Sequence, residues 1–232
     1  MHDRFESFSA EHFGLIALCL AVFVVLVVLG RRQGDNLPFR RAFAIAIPCF
    51  TVPMQVLQLL PSDFGLGTSL PLQYCDLAWG TAVYALWTRS PWAFALTYFW
   101  GLTLTTQAIL TPSLGERFPD PRYFMFWGMH FLTVWAAGYL LASGSRPTWP
   151  LYRMTVAVTA AWAALVMGFN GVTGTNYGYF NRKPQSASAL DLLPGWPTYV
   201  VIEVAIVAAV WALMTWPFVR GRISPTIGHS DP

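Results

Sequence analysis

The chain has 232 residues, of which 55% are hydrophobic and 16% aromatic, while only 11% are charged. Soluble domains carry roughly 25% charge, so a water-soluble fold is excluded. Fourteen Lys and Arg against eleven Asp and Glu leave a net charge of +3 spread along the chain, without the basic face of a nucleic-acid binder.

Crossing a bilayer core of about 30 Å takes around 20 apolar residues at 1.5 Å rise each. Seven such stretches follow one another, near residues 10–29, 42–60, 70–88, 91–110, 122–142, 151–169 and 197–218. Polar, Gly- and Pro-rich breaks separate them, including RRQGDNLPFRR, PSDFGLGTS and TPSLGERFPDP. The expectation is one all-α domain over residues 1–219, a seven-transmembrane-helix bundle in the cell membrane, with a disordered tail over 220–232. Residues 10–29 are preceded by Asp3, Glu6 and Glu11 and lack a small-residue cleavage site, so they read as a first span and not a secretory signal.

Short loops rich in Arg stay in the cytoplasm. With the N-terminus outside, the cytoplasmic segments carry nine cations: Arg31, Arg32, Arg40, Arg41, Arg89, Arg146, Arg153, Arg220 and Arg222. The outer segments carry five: Arg4, Arg117, Arg122, Arg182 and Lys183. The N-terminus is therefore expected outside and the C-terminus in the cytoplasm. Lys183, the single lysine, lies between apolar segments, which excludes a Schiff base inside the bundle. Cys19, Cys49 and Cys75 are odd in number and sit in apolar or helix-start sequence, so free thiols are expected. No spacing suggests a metal site, and no cofactor is expected.

A polar side chain in hydrocarbon costs about 2.5–3.5 kcal/mol on insertion scales, so each needs a partner or a wet cavity. Spans running inward have theirs early: Glu11 and His12 in the first, Cys75 and Asp76 in the third, His130 in the fifth, Glu203 in the seventh. Spans running outward have theirs late. Thr51, Gln55 and Gln58 form a stripe on the second, and Thr103, Gln107 and Thr111 one on the fourth. Both directions place the polar set in one half of the membrane, beside the long segment 170–196 with Asn170, Asn176, Tyr177, Tyr179 and Asn181. A pocket in the outer half is the natural inference.

Within it Cys75 is the candidate nucleophile, near the start of a helix that Thr68 or Ser69 would cap, where the positive end of the helix dipole favours a thiolate. His130 lies at a similar depth and is the candidate base; the alternative is a core histidine satisfied by a backbone carbonyl. Asp76 sits about 100° around the helix from Cys75, so it would anchor some other partner. Glu203 reads as a substrate-facing or a structural carboxylate, and Gln107 or Asn176 as oxyanion donors.

The segments LPLQYCDLA at 70–78, TPSLGERFPDPRYFMFWGMH at 111–130 and NGVTGTNYGYFNRKP at 170–184 resemble, in that order and spacing, the YwaF-like integral membrane family that includes animal transmembrane protein 164. The resemblance implies a seven-helix protein whose animal member is a cysteine-dependent acyltransferase acting on ether phospholipids. It implies Cys75 and His130 as the catalytic pair and Asn176 and Tyr177 as pocket residues. The expected function is thus a lipid-modifying enzyme, with membrane phospholipid or lysophospholipid as partner, Cys75 and His130 catalytic, and Asn176, Tyr177, Gln107, Asp76, Glu203 and Gln55 binding substrate. The alternatives are a transporter or small-solute binder, whose polar residues should continue toward the cytoplasmic side, and a haem protein using His12 and His130.

Overall fold

The computed structural model describes residues 5–184 and 189–220. Among them are seven long α-helices: α1 (Ala10–Gln33), α2 (Leu37–Leu59), α3 (Tyr74–Thr88), α4 (Pro91–Leu110), α5 (Pro121–Ala142), α6 (Trp149–Thr173) and α7 (Thr198–Val219). No strand occurs among the described residues. All but α3 are long and apolar enough to cross a membrane. The seven expected spans are thus seven helices, six of which have the length and composition of a span. The expected tail beyond Arg220 lies outside the described residues.

Local chemistry sets the helix boundaries. Ser9 Oγ accepts the His12 N–H at 3.2 Å and starts α1. Asn36 Oδ1 accepts the Phe39 N–H at 3.0 Å, and Pro38 is tolerated in the first turn, so α2 begins at Leu37 and not at residue 42. The third helix begins at Tyr74, four residues later than expected, and neither Thr68 nor Ser69 caps it. Asp76 Oδ2 accepts the Gln73 N–H at 2.9 Å and closes the first turn there, while Ser69 Oγ accepts Gly65 N–H at 3.0 Å within the preceding loop.

Contacts between helix ends show that successive helices alternate in direction. At the face where α1 begins, the His12 Nε2 reaches the Ile109 carbonyl at the end of α4 (2.8 Å), and Tyr123 at the start of α5 donates to Glu11 (2.7 Å). At the opposite face Arg40 pairs with Asp35 at 2.8 Å and donates to the Leu86 and Trp87 carbonyls at the end of α3. Arg89 donates to the Ser143 hydroxyl and carbonyl at the end of α5 (2.8 and 3.0 Å). These guanidinium groups bond helix C-terminal carbonyls that have no intrahelical donor.

The core lies around α3, α4 and α5. Ala78, Ala82, Ala85 and Leu86 of α3 are buried against Phe94, Phe99 and Trp100 of α4 and Ala136, Tyr139 and Leu140 of α5. Small residues let these helices approach closely. A Cβ on Gly138 would fall 2.4 Å from the Phe23 ring, and one on Gly101 would fall 3.2 Å from Ala137 Cβ. Around that core, α1, α2, α6 and α7 expose Leu20, Val24, Val52, Leu165, Val201 and Leu213, as surfaces facing hydrocarbon must.

Candidate functional site

The helix that carries Cys75 begins where two loops are tied together. Asn170, buried near the end of α6, donates to the Tyr177 carbonyl and accepts the Tyr177 N–H, both at 2.9 Å. The Tyr177 hydroxyl in turn donates to the Leu66 carbonyl (2.8 Å) and accepts the Leu70 N–H (3.1 Å). Gln73 Oε1 accepts the Gly178 N–H at 2.8 Å, and Trp162 donates to the Leu72 carbonyl at 3.2 Å. The segment after α6 is thereby held over the residues leading into α3.

Cys75 sits in the first turn of α3 and makes no disulfide. Cys75 and Asp76 are both half-buried and keep accessible surface at the start of α3. Across from the thiol stands the hydroxyl of Thr105, only 1% exposed, without a hydrogen bond of standard geometry. Thr105 closes a π-helical turn, Trp100–Thr105, inside α4. One residue more per turn rotates the rest of α4 around the helix axis, and such turns are frequent at functional sites.

α3 and α5 pack directly on each other, and both pack on the π turn. His130 is 3% exposed. Its Nδ1 is bonded to the Phe126 carbonyl, and its ring lies 4.3 Å from the Phe126 ring, centroid to centroid. A carbonyl can only accept, so Nδ1 carries the proton and Nε2 keeps a bare lone pair. The backbone-satisfied alternative therefore describes one ring nitrogen and leaves the other chemically available. Cys75 and His130 are not hydrogen-bonded to each other: the thiol faces Thr105, the imidazole Phe126.

The remaining expected residues divide by what they touch. Asp76 anchors the start of its own helix. Gln55 donates to the Ser69 carbonyl (3.1 Å), and its Oε1 is buried without a partner. Glu203 is half-buried, within electrostatic reach of the Tyr74 and Tyr199 phenols. Tyr177 is fully engaged in the loop tie. Asn176 is half-buried and closes its own loop, accepting the Asn181 and Arg182 N–H groups and donating to the Arg182 carbonyl. Gln107 is exposed on α4. His12 uses both ring nitrogens, Nδ1 accepting the Phe8 N–H (2.9 Å) and Nε2 donating to Ile109, so neither is free to ligate haem iron.

Sequence reasoning passes over Thr105 and gives Asn170 no role of its own. The stripe Thr103, Gln107, Thr111 assumes 3.6 residues per turn throughout α4, and the π turn breaks that register. Thr103 instead accepts the Trp211 indole N–H (3.0 Å), and Thr105 takes the place beside the thiol. The dense TLTT run after Gly101 and Leu102 is the available signal. A cleft of about 910 Å³, lined by Glu11, Glu116, Arg117, Phe118, Asp120 and Tyr123, opens at the same end of the bundle and includes neither Cys75 nor His130.

These features define a multi-pass, all-helical membrane protein with a half-buried cysteine and buried polar side chains near one face. The chain belongs to the TMEM164 family, whose model matches residues 7–215. No curated protein and no solved structure matches it.

Proposed function

We propose that this protein is a phospholipid-modifying enzyme of the cell membrane that works by cysteine-dependent acyl transfer, or by acyl hydrolysis when water is the acceptor. The observation that carries this reading is the setting of Cys75: a half-buried, accessible thiol at the start of α3, on a helix packed against the one that presents His130 with Nε2 bare. In the first step Cys75 Sγ attacks the ester carbonyl carbon of a phospholipid. The thiol proton passes through His130 Nε2 to the departing lysolipid oxygen as the C–O bond breaks, and a thioester remains. In the second step an acceptor hydroxyl, of a lysophospholipid or of water, attacks the thioester; the C–S bond breaks and Sγ recovers its proton. Hydrogen bonds of such pairs commonly tighten only around bound substrate.

The first-turn amides of α3 have no intrahelical partner, so the Cys75 N–H is the donor assigned to the oxyanion. Asp76, Gln55 and Glu203 contribute polarity around Cys75, and Asn176 and Tyr177 hold its cover. Nine cations against five orient the N-terminus outside, so Cys75 lies in the outer half of the membrane. In this reading the helix α3, 15 residues long, makes up a seventh span together with the irregular turns before it. Irregular backbone at membrane depth is tolerated where protein covers it, as Trp162 and Tyr177 do here. Transport is disfavoured because the α3 face beyond Cys75 is closed by packed alanines and aromatics.

Acyl trapping tests the proposal. Protein in nanodiscs is incubated with phospholipid bearing a labelled acyl chain, and hydroxylamine-sensitive label is sought on Cys75. The label is expected in the wild type and lost in Cys75→Ala of unchanged helicity. Equal lipid turnover in the two would overturn the reading.

A further inference from the structure

The buried threonines of this bundle follow one pattern, and Thr105 departs from it. Thr51, Thr97, Thr133, Thr155 and Thr215 each donate to the carbonyl four residues back, at 2.8–2.9 Å. That bond satisfies a hydroxyl inside hydrocarbon without any tertiary partner. For Thr105 the corresponding carbonyl would be Gly101, and the π turn hands it to Thr106, whose hydroxyl reaches the Gly101 carbonyl five residues back at 3.1 Å. Thr105 is left buried, with no acceptor, beside Cys75 on the π turn that packs against α3. A buried hydroxyl is rarely left unpaired unless something else needs its proton.

We propose that Thr105 is a catalytic hydrogen-bond donor to Cys75: its O–H stabilises the sulfur when it is negatively charged, as attacking thiolate in the first half-reaction and as leaving group in the second. The catalytic meaning rests on the acyl-transfer reading, but the donor role itself does not. In both half-reactions the sulfur holds an extra electron pair, either just before the C–S bond forms or just after it breaks. The thiol proton travels through His130 Nε2, and Thr105 keeps its own throughout. The π turn is then the device that releases one hydroxyl from its helix and turns it onto the nucleophile.

The test reads thiol reactivity directly and needs no lipid substrate. In a Cys19→Ala, Cys49→Ala background Cys75 is the single thiol, and its alkylation by N-ethylmaleimide is followed at fixed pH in detergent-purified full-length protein. Thr105→Val, nearly isosteric, is expected to slow alkylation about tenfold; Thr105→Ser, which restores the hydroxyl, should return it to within about twofold of the background. Thr133→Val removes a hydroxyl already bonded within its own helix and should leave the rate unchanged. A Thr105→Val rate equal to the background, or a Thr105→Ser rate as slow as that of Thr105→Val in proteins of equal melting temperature, overturns the proposal. Slowed alkylation in Thr105→Val together with no acyl label on Cys75 would sink acyl transfer and leave the donor standing. Acyl label with unchanged alkylation would do the reverse.

Discussion

Asn170 grips Tyr177 by both backbone groups, donating to its carbonyl and accepting its N–H at 2.9 Å each, and also accepts the Thr175 hydroxyl at 2.9 Å. One amide side chain thus does for the segment after α6 what a paired strand does in a sheet. Because the Tyr177 hydroxyl reaches Leu66 and Leu70, the same amide fixes the loop that leads into α3.

Replacing Asn170 by Leu therefore unties both loops at once. Buried partners left unsatisfied cost about 1–3 kcal/mol each, so a loss of roughly 3 kcal/mol is expected. It should register as a lowered melting temperature and as faster hydrogen exchange at the Leu70 and Tyr177 amides. Exchange rates at those amides unchanged from wild type would show that the loops hold without it.

His130→Gln should lower acyl transfer by about 10²–10⁴-fold, the usual contribution of a positioned general base. The glutamine retains an N–H for the Phe126 carbonyl and little basicity, so helicity and melting temperature should stay close to wild type. Turnover within threefold of wild type would assign His130 a packing role alone.

Gly138→Ala places a methyl group where the Phe23 ring edge already lies, 2.4 Å from the new carbon. Overpacking of this kind costs about 1–3 kcal/mol. The loss should be recovered in part by the double variant Gly138→Ala, Phe23→Leu, read by thermal unfolding in detergent. No recovery would mean that the two helices meet differently.

Arg40 is buried and bonded to Asp35, Leu86 and Trp87, at the face opposite Cys75. Arg40→Met removes the donors from two helix-end carbonyls and should destabilise the protein by about 2 kcal/mol. Arg40→Lys, a point charge without the guanidinium fork, should rescue less than half of that. Acyl transfer measured below the melting temperature should be unaffected by either.

Apolar runs and their breaks are local properties, because hydrocarbon solvates a helix regardless of what packs beside it. The helical class and the apolar, membrane-spanning helices could therefore be read along the chain. Which polar groups meet is another matter. An inserted residue in α4 leaves no mark on hydropathy, yet its rotation exchanges Thr103 for Thr105 beside the thiol. Asn176 and Tyr177 look alike in sequence as polar loop residues, and only packing leaves the first half-buried and bonded within its own loop while the second becomes a buried strut. Composition can bring side chains to a common depth; their azimuth around each helix axis follows from close approaches such as Gly101 to Ala137 and Gly138 to Phe23, which exist only in three dimensions.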